Sequence, residues 1–376
     1  MNTTYQQCKQ CIMDTSAGCI EFDKNGICNF CKIHLERTSK EQYSQKELDN
    51  LTNKIKKSKK KNSKYDCIIG VSGGVDSTYV AYLVKEKLKL NPLAIHLDNG
   101  WNDELAVSNI EKCLNKLDID LYTHVIDWSE FKDLQLAFMK ASIPNIEILT
   151  DHAITAILYK IARKYNVNYI INGANISSES IMPKSWMWYG FDLKLIKSIH
   201  KKHGNIPIKT FPTLSLKSYA KYVFFNKVKS IPILNYINYD KEKTKKFLSE
   251  KLQWKDYGGK HFESIFTRFF QAYILPKKFN IDKRLPHLSS LILSNQITKK
   301  EALEILKKPI YPNEKMLNED ITYFKKKMGF TDHTFELMMN QKPNYYTDFK
   351  NNASFITNPK YKNIYYYIRT KILGNK

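Results

Sequence analysis

One short string limits this chain more than any other feature: Ser72-Gly73-Gly74-Val75-Asp76-Ser77. Before it runs Cys67-Ile68-Ile69-Gly70-Val71, apolar and short in the manner of a buried strand. After it, Thr78-Tyr79-Val80-Ala81-Tyr82-Leu83-Val84 has the apolar spacing of a helix. Strand, glycine turn and helix together aim free backbone N–H groups and a positive helix end at one point, which suits an anion. Glycine lets the backbone approach a phosphate with no Cβ in the way, and Ser72 and Ser77 add hydroxyl donors. The Gly-Lys-Ser/Thr ending of a Walker A loop is missing, so a different phosphate loop is expected. Its binding set is Ser72, Gly73, Gly74, Val75, Asp76 and Ser77.

From Tyr65 the pattern alternates. Segments 93–97, 121–126 and 167–171 read as further strands, with helices over 104–117 and after the Thr150-Asp151 cap. This predicts an α/β fold whose parallel sheet is covered on both faces, with ligands beyond the carboxyl ends of its strands. Asp98, Gly173 and Asn175 then stand at the mouth of the site. Asp98 either holds a ribose or base edge or shapes the turn before Asn99-Gly100. Gly173-Ala174-Asn175 is site lining or an ordinary turn, and Asp76 either helps to hold Mg²⁺ or caps its helix. Beyond Trp186 the alternation fades into helices over 214–229, 241–252, 261–275, 298–307 and 313–328, broken by Pro212, Pro232, Pro276, Pro286 and Pro309.

Four of the seven cysteines form two pairs, Cys8-x-x-Cys11 and Cys28-x-x-Cys31. Two such knuckles bring four thiolates to one tetrahedral metal, the spacing of a small zinc ribbon. Disulfides and an iron–sulfur cluster are the alternatives, and structural Zn²⁺ is the expectation. The chain divides accordingly: zinc ribbon 1–36, basic helical linker 37–64, phosphate-loop α/β domain 65–230, helical C-terminal region 231–376. No stretch is long and apolar enough to span a bilayer and no apolar signal segment opens the chain, so a cytoplasmic protein is expected.

A net charge of +23 invites a nucleic-acid reading, but of 60 basic residues only Arg37, Arg163, Arg268, Arg284 and Arg369 are arginines. Readers of base edges use arginine's planar fork. Nucleic acid is therefore not the expected partner. Positive charge must still meet the α-phosphate as a leaving group departs, and Lys260 and Arg268 are the leading candidates, a solvated helix face being the bland reading. Asp151, His152 and Glu179 are candidates for binding a substrate amide. Trp186, in the aromatic run 184–189, is a wall for a sugar or a base, or simply core.

The loop resembles the PP-loop of ATP pyrophosphatases, the adenine nucleotide alpha hydrolase-like fold. Combined with the four cysteines it resembles the N-acetyl sugar amidotransferases of bacterial surface-glycan synthesis. Cys11-Ile12-Met13-Asp14-Thr15-Ser16, Phe22-Asp23, Gly173-Ala174-Asn175-Ile176-Ser177-Ser178-Glu179 and Gly258-Gly259-Lys260-His261-Phe262-Glu263-Ser264-Ile265-Phe266-Thr267-Arg268 extend that likeness. The resemblance implies ATP-dependent adenylation of an acetamido oxygen on an anionic N-acetylated sugar, free or nucleotide-linked, in O-antigen or in pseudaminic-acid-type flagellin sugars. Ammonia then converts the acetamido group to an acetamidino group. A glutaminase nucleophile, whether an N-terminal cysteine or a Gly-x-Cys-x-Gly elbow, is not found, so a class I glutaminase subunit is the implied ammonia source. The alternatives are a tRNA-modifying enzyme of thiolation or lysidine type, and a non-catalytic nucleotide sensor.

Overall fold

A computed structural model describes residues 4–61, 63–186, 191–259 and 262–353. Its centre is a five-stranded sheet, all parallel: β1 (Cys67–Gly70), β2 (Pro92–Asp98), β3 (Asp120–Val125), β4 (Tyr169–Asn172) and β5 (Lys229–Pro232), in the spatial order β3-β2-β1-β4-β5. The register pairs Ile69 with Ala94 and Ile68 with Ile170. The sequence reading found four of these strands. The fifth escaped it because Lys229-Ser230-Ile231-Pro232 carries one buried apolar side chain, Ile231, at a sheet edge.

Adjacent strand residues face opposite sides, and in β1, β2 and β4 both sides are buried, whereas the edge strand β3 is largely exposed. Ile68, Leu93, Ile95 and Ile170 belong to one core, Ile69, Ala94, Ile171 and Ile231 to the other. This is why the strands read as apolar runs without polar alternation. Helices Val75–Tyr82, Glu104–Leu117 and Lys241–Leu252 cover the second face, with Leu48 and Ile55 of helix Gln45–Ser58. The first face meets helix Ile148–Lys164, and its core runs without interruption into Cys8 and Cys31 of the ribbon and Phe269 and Phe324 of the C-terminal helices. The linker holds the end of helix Asn29–Glu41 and the whole of helix Gln45–Ser58, the latter opened by a Ser44/Glu47 capping box.

Two prolines expected to break helices do not. The run from Ile265 to Phe279 passes through Pro276 because Phe270–Ile274 is a π-turn, with the Leu275 N–H bonded to the Phe270 carbonyl. That wider turn shifts the carbonyls that the Pro276 ring would otherwise strike. Pro286 lies in the first turn of helix Arg284–Leu293, where its missing N–H is unneeded. Among the described residues no helix is long and apolar enough to cross a membrane.

Candidate functional site

The loop after β1 is folded by its own side chains. The Ser77 hydroxyl accepts the Ser72 N–H at 3.2 Å, lies 3.2 Å from the Ser72 hydroxyl and donates to the Gly74 carbonyl at 3.1 Å. Gly73 has φ +79°, and a Cβ there would stand 2.3 Å from the Ala106 carbonyl oxygen. Only glycine fits. Gly74 then opens helix Val75–Tyr82, whose N-terminus faces the loop. β4 ends beside it, and a Cβ on Gly173 would lie 3.2 Å from Asp76 Cβ. β1 and β4 are the neighbours at which strand order reverses, so their carboxyl ends flank the crevice in which open α/β sheets bind ligands.

The C-terminal half closes over this crevice. Trp254 Nε1 donates to the Gly73 carbonyl at 2.9 Å, the Tyr257 hydroxyl accepts the Val75 N–H at 3.3 Å, and the Tyr239 hydroxyl donates to Asp76 Oδ1. Residues 263–265 pair with the chain beyond β2 through Asp103 N–H to Glu263 carbonyl at 3.0 Å and Ile265 N–H to Trp101 carbonyl at 2.9 Å. Burial, then the nearby carboxylates of Asp76 for Tyr239 and Glu263 for Tyr257, push both phenols far above the ordinary tyrosine range. Beside them opens a cavity of ≈ 950 Å³, lined by Glu179, Tyr257, Phe262, Lys283, Arg284 and His287 among others. Tyr239, Trp254 and Tyr257 were not anticipated. Their sequence signal is weak, since aromatics ahead of Gly258-Gly259 read equally well as core.

The expected site residues divide. Ser72 to Ser77 and Gly173 converge at the crevice. Asp98 ends β2, but its Oδ1 accepts the Gly100 N–H at 2.9 Å and Asn102 Nδ2 at 3.2 Å, the turn role. Asn175 is buried and caps helix Ile176–Glu179, its Oδ1 taken by the Ser178 N–H at 2.9 Å. Arg268 lines the cavity, but as one end of an internal ion pair and not as a free cation. Its guanidinium makes two 2.8 Å bonds to Asp320 and one of 3.3 Å to Asp103, so its charge is already neutralised inside the protein. Lys260 lies outside the described residues. His152 is fully buried in helix Ile148–Lys164, its Nε2 accepting the Leu214 N–H at 2.9 Å, while Asp151 beside it is exposed. Trp186 is core, whereas Glu179 lines the cavity.

The ribbon brings Cys8, Cys11, Cys28 and Cys31 together in the interior, their Sγ atoms all within 4.8 Å of one another and three pairs at 3.7 Å. Thiolates bound tetrahedrally at ~2.3 Å to one zinc stand about 3.8 Å apart, so the sulfurs fit a single ion. A 4Fe–4S cluster gives each thiolate its own iron and a 2Fe–2S cluster divides the four between two irons, so either needs the set spread wider than one ion does. Ring and backbone tie this unit to the rest: His34 Nδ1 lies 2.7 Å from the Ser180 hydroxyl, and Arg37 donates to the Ser180 carbonyl at 2.9 Å.

Residues 263–363 match the family described as LPS biosynthesis protein WbpG-like, C-terminal domain, and residues 45–205 match NAD synthase. An uncharacterized protein of Methanocaldococcus jannaschii is 25% identical over 303 residues, 78% of this chain and 90% of that one. A tRNA-specific 2-thiouridylase of Fusobacterium nucleatum is 29% identical over 172 residues, 41% of this chain and 47% of its own length. Among solved structures, the NMN synthetase from Francisella tularensis has a TM-score of 0.29 at 19% identity, covering 49% of this chain and 71% of that one. The U34-tRNA thiolase from Methanococcus maripaludis with its 4Fe–4S cluster has a TM-score of 0.30 at 15% identity, covering 81% and 89%.

Proposed function

This chain belongs to the sugar amidotransferase-type PP-loop family, to which the matches over 45–205 and 263–363 together point, and from that premise we propose that it is the synthetase half of an ATP-dependent sugar amidotransferase. Its substrate is an N-acetylated sugar of a bacterial surface glycan. The acetamido oxygen attacks the α-phosphorus of ATP, pyrophosphate leaves, and an O-adenylyl imidate forms. Ammonia from a docked glutaminase adds to the imidate carbon, AMP departs with the oxygen, and an acetamidino group remains. The logic is electronic: an amide oxygen is a poor leaving group until it is phosphorylated, and the activated carbon must be kept from water.

In this reading the loop Ser72–Ser77 grips the β- and γ-phosphates through its N–H groups and hydroxyls. Asp76 is the carboxylate that would hold Mg²⁺ against the phosphates, as a hard ion prefers. The single observation that carries the proposal is the cavity: it is of ligand size and shares Tyr257 with the loop, so an acceptor bound there lies next to the triphosphate. The four cysteines hold Zn²⁺ in a structural role.

A second reading, tRNA modification, draws on the thiouridylase relative. The thiols argue against thiolation. Apart from the metal-site four, Cys19 is exposed on the ribbon and is not among the cavity-lining residues, Cys67 and Cys113 are buried, and burial pushes the Cys113 thiol up to about 11, far from a nucleophilic thiolate. The deciding experiment incubates the protein with ATP, Mg²⁺, ammonia and candidate acetamido sugars. A sugar about one mass unit lighter, formed with AMP and pyrophosphate, supports the proposal. Micromolar tRNA binding at physiological salt with no change in any sugar favours tRNA modification.

A further inference from the structure

Tyr257 stands at the seam between phosphate loop and cavity. Its oxygen accepts the N–H of Val75, the first residue of the loop helix, and it lies 3.2 Å from where a Gly74 Cβ would be, a point it shares with Ser72 Oγ at 3.1 Å and Glu263 Oε1 at 3.4 Å. The ring is fixed against Trp254, centroids 5.7 Å apart at 78°, and Trp254 is itself bonded to the Gly73 carbonyl. The other edge of Tyr257 lines the cavity.

A phenol has one proton to give. The bond from Val75 uses an oxygen lone pair, and among the described residues no acceptor takes the Tyr257 proton. Burial and the carboxylates of Glu263 and Asp76 keep the group protonated across physiological pH, so it remains a donor. A donor held by a backbone N–H, beside the loop and facing the cavity, is placed for an anionic oxygen lying between the two.

We propose that Tyr257 is a ligand of the bound nucleotide, donating its hydroxyl proton to an oxygen of the α-phosphate. This rests on the loop being the site of the β- and γ-phosphates: with those two in the loop, the α-phosphate is the group nearest the cavity. Tyr257 thereby marks the point where the acceptor oxygen meets phosphorus.

Tyr257→Phe removes the hydroxyl alone. Titration calorimetry with ATP·Mg²⁺ and separately with pyrophosphate, alongside thermal melting, reads the result. ATP binding weakens about 10- to 100-fold, the worth of a hydrogen bond to a charged group, while pyrophosphate affinity holds and the variant stays folded, its melting temperature lowered only by the lost Val75 bond. Tyr257→His, which again presents an N–H donor, recovers part of the loss. Unchanged or tighter ATP binding by the folded Phe variant overturns the proposal. Equal losses for ATP and pyrophosphate also overturn it, because the phenol would then only brace the Val75 amide. Wild-type protein that binds neither ATP nor pyrophosphate sinks the nucleotide reading itself, a distinguishable failure.

Discussion

Replacing Gly73 by alanine strains the loop in two separable ways. The backbone there has φ +79°, a left-handed conformation that costs an L-residue about 1–2 kcal/mol. The new methyl would sit 2.3 Å from the Ala106 carbonyl oxygen, inside any allowed contact. Ala106 lies in the first turn of helix Glu104–Leu117, which is capped by Asp103 Oδ1 on the Leu105 N–H at 3.0 Å and anchored by the Asp103 N–H on Glu263. The helix therefore has little room to retreat, and overpacking of this kind costs about 1–3 kcal/mol. Together the two effects amount to about 2–5 kcal/mol. Gly258 provides the control: its φ is +87°, but among the described residues a Cβ there meets nothing within 4 Å, so Gly258→Ala suffers the conformational strain alone. Equilibrium urea unfolding of both variants and the wild type, followed by tryptophan fluorescence, measures the difference. Gly73→Ala should lose about 1–3 kcal/mol more than Gly258→Ala, and its folded form should bind ATP more weakly because the loop must shift. Equal losses would refute the close approach of loop and helix.

Arg268→Leu leaves Asp320 buried without its partner and should cost about 3–5 kcal/mol in unfolding experiments. Arg268→Lys that keeps its melting temperature but loses ATP affinity would instead put this guanidinium at the phosphates. Burial pushes the Glu130 carboxyl upward, yet the N–H groups of Phe211, Thr210 and Lys209 hold its pKa below the ordinary value of 4.5. Its contribution to stability is therefore complete above that value and fades as pH falls through the lower folded value; limited proteolysis of the 204–214 segment in acid should separate wild type from Glu130→Gln, and identical acid profiles contradict this. Cys28→Ser should abolish a metal found at one ion per chain by elemental analysis and lower the melting temperature, and a wild type equally stable without metal rules out the structural-metal role.

The phosphate loop was legible because everything that makes it is local: strand, glycines, serines and helix lie within Cys67 to Val84. The ribbon was legible for the same reason, since the chemistry of four thiolates admits few arrangements. What failed to show was long-range. Arg268 looked like a free cation until Asp320, 52 residues on, took its charge. Tyr257 and Trp254 reach the loop from about 180 residues away, |i−j| being 182 and 181, and nothing in their neighbours announces it. His152 read as a first-turn residue after a Thr150-Asp151 cap, where a surface position is usual, but the helix already begins at Ile148 and the 211–214 segment lies over His152, with Phe211 stacked 6.5 Å from its ring. Pro276 breaks a helix by local rules, and only the π-turn before it permits the continuation.

The account turns on which phosphoanhydride bond of ATP is broken. Phosphorus NMR of the products, with the glutaminase or ammonia and an acetamido sugar present, reads this directly. AMP and pyrophosphate in equal amounts, with oxygen-18 from a labelled acetamido group recovered in the AMP phosphate, are the predicted result. ADP and orthophosphate, or AMP with no label, contradict it.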